Sequence, residues 1–162
     1  MHVRHLVTFI LALAYCGCAS QETIQQHIAS HAREIGAQEY APARMVAVGD
    51  LDGDGVVDSA VVYTLEGAHH SNNYQQFLAV SSSRQSGRFF DTVVGGKDVR
   101  EITGISITNR QVELALLEYT SADASCCPSR RASTRYILKR GVLAEQARPT
   151  TTPNPALEPF ER

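Results

Sequence analysis

The strongest constraint on the fold is a series of seven short segments between residues 43 and 140, each rich in β-branched and aromatic residues. Turn-forming residues separate the segments, a pattern typical of an antiparallel sheet in which consecutive strands are neighbours. We therefore predict a mostly β fold of the α+β class, with an antiparallel meander sheet of about seven strands. The segments are ARMVAVG, VVDSAVVYTL, NYQQFLAVSSS, RFFDTVVGG, VREITGISIT, QVELALLEYT and STRYILKR.

The alternation of apolar and polar residues is clearest in QVELALLEYT, where Val112, Leu114 and Leu116 occupy every second position. This spacing predicts a strand with one buried face, because successive side chains of a strand point to opposite sides. The preceding turn, TNRQ, contains Asn109, a residue type that tolerates a positive φ. We expect this turn to join the strand to its predecessor in a hairpin, and we expect a second tight turn at Arg140-Gly141.

One amphipathic helix is predicted ahead of the strands, in residues 21–36. Its apolar residues are spaced by three and four, which places them on one helical face. Ser20 is the expected N-cap, Glu22 suits the first turn and Gly36 suits the end of the helix. The apolar residues are Ile24, Ile28, Ala32 and Ile35.

Two histidines, His27 and His31, lie one turn apart on this predicted helix. A pair with this spacing can chelate a metal ion. The interpretation we favour is that both flank the apolar stripe on a solvated surface.

The first 19 residues have the features of an export signal. Arg4 precedes the apolar run from Leu6 to Ala14, and small residues follow at a plausible cleavage point. Cys18 after Gly17 also resembles the lipidated cysteine of a bacterial lipoprotein signal. Lipidation at Cys18 and ordinary signal-peptidase cleavage both stay open, and either predicts an exported bacterial protein that is periplasmic, secreted or an outer-membrane lipoprotein.

The remaining chain predicts a single β-rich domain in residues 20–146, followed by a Pro- and Thr-rich disordered tail in residues 147–162. The net charge of −2 and the absence of a basic stripe argue against nucleic-acid binding. The expected partner is a protein or glycan at the cell envelope, with membrane contact only through a lipid anchor.

Residues 49–60, GDLDGDGVVDSA, contain four aspartates, at positions 50, 52, 54 and 58. Two such charges about 5 Å apart repel by roughly 3 kcal/mol at an effective dielectric constant near 20, so the cluster requires compensation. Counted from Asp50, oxygen donors fall at positions 1, 3, 5, 7 and 9, as in calcium loops, and Gly55 permits the sharp turn at position 6. The predicted cofactor is Ca²⁺, and its predicted ligands are Asp50, Asp52, Asp54, the Val56 carbonyl and Asp58.

An EF-hand is excluded because its twelfth position, normally a bidentate glutamate, is Val61 in a predicted strand. The motif D-x-D-G-D-G-x-x-D instead resembles the Asp-rich calcium loop of FG-GAP and VCBS-type repeats. That resemblance implies the same five ligands. A single copy occurs here, which excludes a complete propeller. The alternative is an Asp/Gly-rich turn that needs no metal.

Cys126 and Cys127 are adjacent and precede Pro128 between two predicted strands. Neighbouring Cα atoms lie about 3.8 Å apart, below the usual disulfide range, so a bond between them closes a strained ring. The interpretation we favour is a vicinal disulfide that rigidifies the loop; a pair of buried or intermolecular thiols and a redox or metal-capturing pair stay open. Arg130 and Arg131 nearby would lower a thiol pKa. The Cys-Cys-Pro-Ser segment is similar to one in LppP/LprE-type lipoproteins.

The sequence contains no recognisable catalytic motif, and Glu113 and Glu118 fit a solvated strand face better than an acid/base pair. His69 and His70 lie with Asn72 and Asn73 in a polar segment that fits a plain surface loop better than a sugar or peptide site. We therefore predict an exported calcium-binding protein, not an enzyme, with a binding or structural role at the envelope. The alternatives are an envelope redox protein that uses Cys126 and Cys127, or an inhibitor-like module against a secreted enzyme.

Overall fold

The computed structural model describes residues 23–85 and 88–146, and within them it contains one α-helix and nine β-strands. The signal and lipidation predictions, including Cys18, and the predicted tail lie outside the described residues. The elements are α1 (Ile24–Glu34), β1 (Gln38–Glu39), β2 (Met45–Gly49), β3 (Asp58–Glu66), β4 (Tyr74–Ser81), β5 (Phe89–Gly96), β6 (Arg100–Thr108), β7 (Gln111–Glu118), β8 (Arg130–Lys139) and β9 (Val142–Gln146).

All described strand pairs are antiparallel, and the strands from β3 to β9 follow one another across the sheet. The predicted α+β class, mostly β with a meander and one helix, is confirmed. The exception to the meander lies at its start, where β1 and β2 both pair with β3. The two strands that the sequence did not predict are β1, which has only two residues, and β9, which follows the predicted turn at Arg140-Gly141.

Helix α1 begins one turn later than predicted. Its N-cap is Thr23, whose side chain accepts a hydrogen bond from the Gln26 backbone N–H, while the Gln26 side chain accepts one from the Thr23 backbone N–H. This reciprocal capping box satisfies two backbone donors at the helix start, which explains why Thr23 and not Ser20 is the cap. Beyond the end of the helix, Gly36 takes the left-handed φ of +64° that this residue type permits.

The two faces of β3 and β4 pack into different cores. Alternate residues on one face join side chains of β5 to β9, while those on the other face meet α1. The larger cluster contains side chains from both halves of the sheet, which are β1–β5 and β6–β9. The two halves are joined by a single residue pair, Gly96 of β5 with Arg100 of β6. The sheet therefore bends at this junction, and α1 packs on the face of β3 and β4 that is opposite the larger cluster. Buried members of the larger cluster are Leu51, Ala60, Val62, Leu78, Val80, Val94, Ile102, Val112, Leu114, Leu116, Tyr136 and Leu143, and those of the smaller are Ile28, Ala32, Val61, Tyr63, Leu65, Phe77 and Ala79.

The predicted hairpin between β6 and β7 is present. Ile105 faces Leu114 and Ile107 faces Val112, and Asn109 takes a positive φ of 50° in the turn. Because β2 lies against β6, the side chain of Ile107 approaches Gly49, and Arg110 in the turn approaches Gly53. The described part of the chain has no helix of the length and apolar character needed to cross a membrane.

Candidate metal centre

The acidic loop connects β2 to β3. The two strands are in register up to the pair Gly49 and Asp58, so residues 50–57 form the loop of a hairpin. Gly53 and Gly55 have φ angles of 79° and 82°, a region that non-glycine residues rarely adopt. The two glycines allow the chain to turn so that backbone N–H groups of the loop donate to the carboxylates of Asp50 and Asp54.

Asp58 is the anchored end of the loop, with only 3% of its surface exposed. One carboxylate oxygen accepts a hydrogen bond from the Leu51 backbone N–H at 2.8 Å, and the other accepts from the Ser83 N–H at 3.0 Å. Asp58 therefore ties the loop to the segment that follows β4. The sequence did not indicate Ser83 as part of this site, because its contact with Asp58 depends on the pairing of β3 with β4.

Asp50, Asp52 and Asp58 form a group that can hold a metal ion, since each offers a carboxylate oxygen within 4.8 Å of the others. Two backbone N–H groups, from Gly53 and Gly55, orient the Asp50 carboxylate at 2.5 and 3.1 Å. Among the described residues, Asp52 Oδ2 is a buried oxygen with no hydrogen-bond partner. A buried and unpartnered carboxylate oxygen costs free energy unless a cation or a proton meets it.

The other two predicted ligands are placed differently. Asp54 directs one oxygen to the Ser83 hydroxyl, which donates at 2.5 Å, and the other to the Val56 backbone N–H, which donates at 2.8 Å. The Ser83 hydroxyl and then the Val56 N–H hold the pKa of Asp54 below its usual range, so this exposed side chain is charged. Asp54 does not belong to the group of three, and ligation by Asp54 and by the Val56 carbonyl stays a prediction.

Two arginines lie beside the loop. Arg84 Nε is 3.6 Å from Asp52 Oδ1, but the Arg84 side chain is 59% exposed, so solvent weakens this attraction. Arg110, from the β6–β7 turn, lies so close to Gly53 that a side chain at position 53 would collide with its guanidinium group. These cations reduce the repulsion within the loop, while Asp52 Oδ2 still lacks a hydrogen-bond partner among the described residues.

Carboxylate oxygens are hard ligands, which divalent cations such as Ca²⁺ and Mg²⁺ prefer. Ca²⁺ accepts six to eight oxygen ligands at about 2.3–2.6 Å in flexible geometries, so two of its ligands lie up to about 5 Å apart. The oxygens that Asp50, Asp52 and Asp58 offer lie within 4.8 Å of one another, which is compatible with that span. Mg²⁺ needs near-ideal octahedral geometry with ligands at about 2.0–2.1 Å.

The two helix histidines do not lie on a solvated surface, which corrects that expectation. His27 Nε2 lies 2.7 Å from Asp91 Oδ2, and His31 Nδ1 lies 2.6 Å from the Tyr63 hydroxyl oxygen. The two imidazole side chains are 16% and 18% exposed, because they pack on the Phe89 and Phe77 rings of the sheet. Burial, and then the charge of Asp91, raise the pKa of Tyr63. These contacts fasten α1 to β3, β4 and β5.

The structure joins Cys126 and Cys127 by a disulfide, in the connection between β7 and β8. Both residues are exposed, which is inconsistent with the alternative of buried thiols. Arg130 donates to Glu118 at 2.6 Å, so its charge is shared, while Arg131 is exposed. Glu118 and Arg130 are also opposite each other in the β7–β8 register and close the base of this loop.

The loop that contains His69 and His70 lies between β3 and β4, and both histidines are exposed with positive φ angles of 54° and 61°. The His69 backbone N–H donates to the Ile35 carbonyl at the end of α1, at 3.2 Å. A shallow cleft of about 330 Å³ lies beside this loop, with His69, Tyr74 and Val99 among its lining residues.

Comparisons of the chain with protein-family models, with curated proteins and with solved structures found no match.

Proposed function

We propose that this is an exported protein that binds one Ca²⁺ ion in the acidic loop and has a binding or structural role at the bacterial cell envelope. The observation that carries the proposal is the group of Asp50, Asp52 and Asp58, in which Asp52 Oδ2 is buried and lacks a partner among the described residues. A calcium ion among the three carboxylates would neutralise their repulsion and occupy this oxygen.

The position of the site supports a structural role for the ion. Asp58 begins β3, the Leu51 side chain belongs to the larger core, and Ser83 follows β4. An ion held by Asp50, Asp52 and Asp58 would therefore join the loop to the central strands and to the interior of the molecule. A stabilising ion explains the geometry of the acidic loop without a reaction.

Thermal unfolding in CaCl₂, in MgCl₂ and with a chelator tests this proposal. At a calcium concentration ten times the dissociation constant, the ion would stabilise the folded state by about 1.4 kcal/mol. For a domain of this size, that corresponds to a rise in Tm of about 4 °C. We expect the chelator to reverse the rise, and MgCl₂ at the same concentration to give a smaller one. Equal Tm values in millimolar CaCl₂ and in chelator would contradict the proposal.

A further inference from the structure

The disulfide between Cys126 and Cys127 contributes little as a cross-link of the fold. A disulfide stabilises a protein mainly by closing a loop in the unfolded chain, and the effect grows with the number of residues enclosed. Here the two cysteines are neighbours with a sequence separation of one, so the bond encloses no intervening residue. Its effect on the entropy of the unfolded chain is therefore small.

The loop around the two cysteines is held by hydrogen bonds that do not involve sulfur. The Asp123 carboxylate accepts from the Thr120 N–H at 2.8 Å, from the Ser129 N–H at 3.0 Å and from the Ser129 hydroxyl at 2.8 Å. These hydrogen bonds, first that of Thr120, hold the pKa of Asp123 below its usual range, so the acceptor keeps its charge. Asp123 thus joins the two ends of the connection between β7 and β8.

Further contacts fix the middle of the same loop. The Tyr119 hydroxyl donates to the Ser125 carbonyl at 2.7 Å, and the Cys127 backbone N–H donates to the Ala124 carbonyl at 3.0 Å. Pro128, directly after the pair, is buried. Since none of these contacts needs the sulfur–sulfur bond, the loop can hold the two side chains together in the oxidised and in the reduced state.

Both cysteine residues are exposed, which favours attack on the pair by a thiolate from another molecule. Structural disulfides of secreted proteins usually resist reduction, whereas exposed disulfides are more easily reduced and include the regulatory and catalytic ones. The Cys126–Cys127 bond lies between exposed residues and cross-links no distant segment. The loop around it is held by hydrogen bonds that do not involve sulfur.

We propose that Cys126 and Cys127 form a thiol–disulfide exchange site that oxidises an accessible dithiol, a small molecule or protein with two neighbouring thiols. The first substrate thiolate attacks one cysteine sulfur, the Cys126–Cys127 bond breaks, and the other cysteine leaves as a thiolate that takes up a proton. The second substrate thiolate then attacks the substrate sulfur of the mixed disulfide and releases the first cysteine. Two electrons and two protons pass from the dithiol to the pair, and the substrate leaves as a disulfide. This activity is independent of calcium binding.

The test uses the folded protein in CaCl₂ with dithiothreitol as the dithiol. Samples are quenched with acid, alkylated and weighed by mass spectrometry, and far-ultraviolet circular dichroism and Tm are recorded on the reduced protein. We expect millimolar dithiothreitol to reduce the pair within minutes, with one equivalent oxidised, an unchanged spectrum and a Tm within about 3 °C of the oxidised protein. A pair that is reduced only after denaturant is added would overturn the proposal.

Two variants separate exchange from a structural role. The double variant Cys126→Ser/Cys127→Ser is expected to fold with nearly the same Tm and to leave dithiothreitol unoxidised. If it fails to fold, or if reduction of the wild type raises amide hydrogen exchange throughout residues 119–129, the bond is structural and the proposal is wrong. The single variant Cys127→Ser is expected to trap a mixed disulfide at Cys126 with a dithiol peptide that has been converted to an activated disulfide; absence of that adduct would also contradict it.

Discussion

Asp52 and Asp58 have different roles within the acidic loop, although both belong to the proposed calcium site. Asp58 is buried and already accepts hydrogen bonds from Leu51 and Ser83, so it organises the loop whether or not an ion is bound. Asp52 has a buried oxygen without a hydrogen-bond partner among the described residues, and it lies near the like charges of Asp50 and Asp58. Asp52 is therefore the residue whose contribution depends most on the ion.

The variant Asp52→Asn tests whether the contribution of Asp52 to stability depends on a bound ion. It removes one charge without changing the size of the side chain, so it relieves repulsion when calcium is absent and removes attraction when calcium is present. We expect its Tm in chelator to equal or exceed that of the wild type, and its calcium affinity to fall at least tenfold, a loss of about 1.4 kcal/mol in binding free energy. Thermal unfolding and calcium titration measure both quantities.

Asp98→Asn is the matched control. Asp98 is an exposed aspartate in the β5–β6 turn with a positive φ of 62°, a conformation that asparagine also tolerates. The same loss of one negative charge at that position is expected to leave the calcium-induced rise in Tm unchanged. If Asp52→Asn retained the full rise as well, Asp52 would not be a ligand.

Some features of the acidic loop can be predicted from the sequence, and others cannot. The glycines and the spacing of the aspartates are local features, and they predict a tight loop whose carboxylates converge. The contacts of Ser83 and Arg110 with this loop join positions far apart in the chain, so they follow from strand pairing and from the bend of the sheet. No pattern in a short window contains that information.

At the scale of elements, Arg100 of β6 makes hydrogen bonds to both β5 and β9, and its bond to β5 lies at the bend of the sheet. Its Nε donates to the Val94 carbonyl of β5 at 2.5 Å, and its two terminal nitrogens donate to the Glu145 carboxylate of β9 at 2.8 and 3.0 Å. The Tyr136 hydroxyl and the Thr134 hydroxyl of β8 also donate to Glu145, at 2.9 and 2.7 Å. The bond from Arg100 to Val94 supplements the single residue pair between β5 and β6, and Gln76 of β4 adds two hydrogen bonds with the Ile102 backbone of β6.

The same network predicts a pH dependence of stability. The hydrogen bond from Arg100 lowers the pKa of Glu145 from 4.5 to about 2, whereas burial raises the pKa of Tyr136 to about 12. Because the folded-state pKa of Glu145 is depressed, its contribution is present above pH 4.5 and is lost as the pH falls towards 2. We expect Glu145→Gln to destabilise the protein by about 1 kcal/mol at pH 7, a value reduced for the partial exposure of Glu145, and the difference from wild type to disappear near pH 2.

Denaturant unfolding at several pH values measures this difference, and Glu113→Gln is the control. Glu113 pairs with Arg135 on the outer surface at 2.8 Å, and exposed pairs of this kind contribute about 0.2–1 kcal/mol. We expect a change below about 0.5 kcal/mol for the control. A loss for Glu145→Gln that stays constant from pH 7 to pH 2 would mean that the carboxylate charge is not the source of its contribution.

The elements themselves follow from the sequence to different degrees. Strand β7 and its turn were predictable, because alternation and the Asn109 turn are local. Strand β1 consists only of Gln38 and Glu39, and it is defined by its pairing with β3. Two residues are too few to show an alternation of apolar and polar side chains in the sequence. The helix start at Thr23 was missed because Thr23 with Gln26 forms a capping box that competes with the isolated cap residue Ser20.

At the scale of the whole molecule, the acidic loop and the cysteine loop belong to different parts of the sheet. The first connects β2 to β3 in the half that also carries α1, and the second connects β7 to β8 in the other half. The proposed calcium site shares residue Leu51 with the larger core, whereas the loop of Cys126 and Cys127 is exposed and internally braced. We therefore expect calcium to affect global stability and reduction of the disulfide to affect it little.

Isothermal titration calorimetry of the purified protein with CaCl₂, after removal of divalent ions with a chelator, measures directly whether the acidic loop binds calcium. We expect a single site with a stoichiometry of one ion per chain, with binding weakened at least tenfold in Asp52→Asn and unchanged in Asp98→Asn. An absence of binding at millimolar CaCl₂, or equal binding by the wild type and Asp52→Asn, would contradict this expectation.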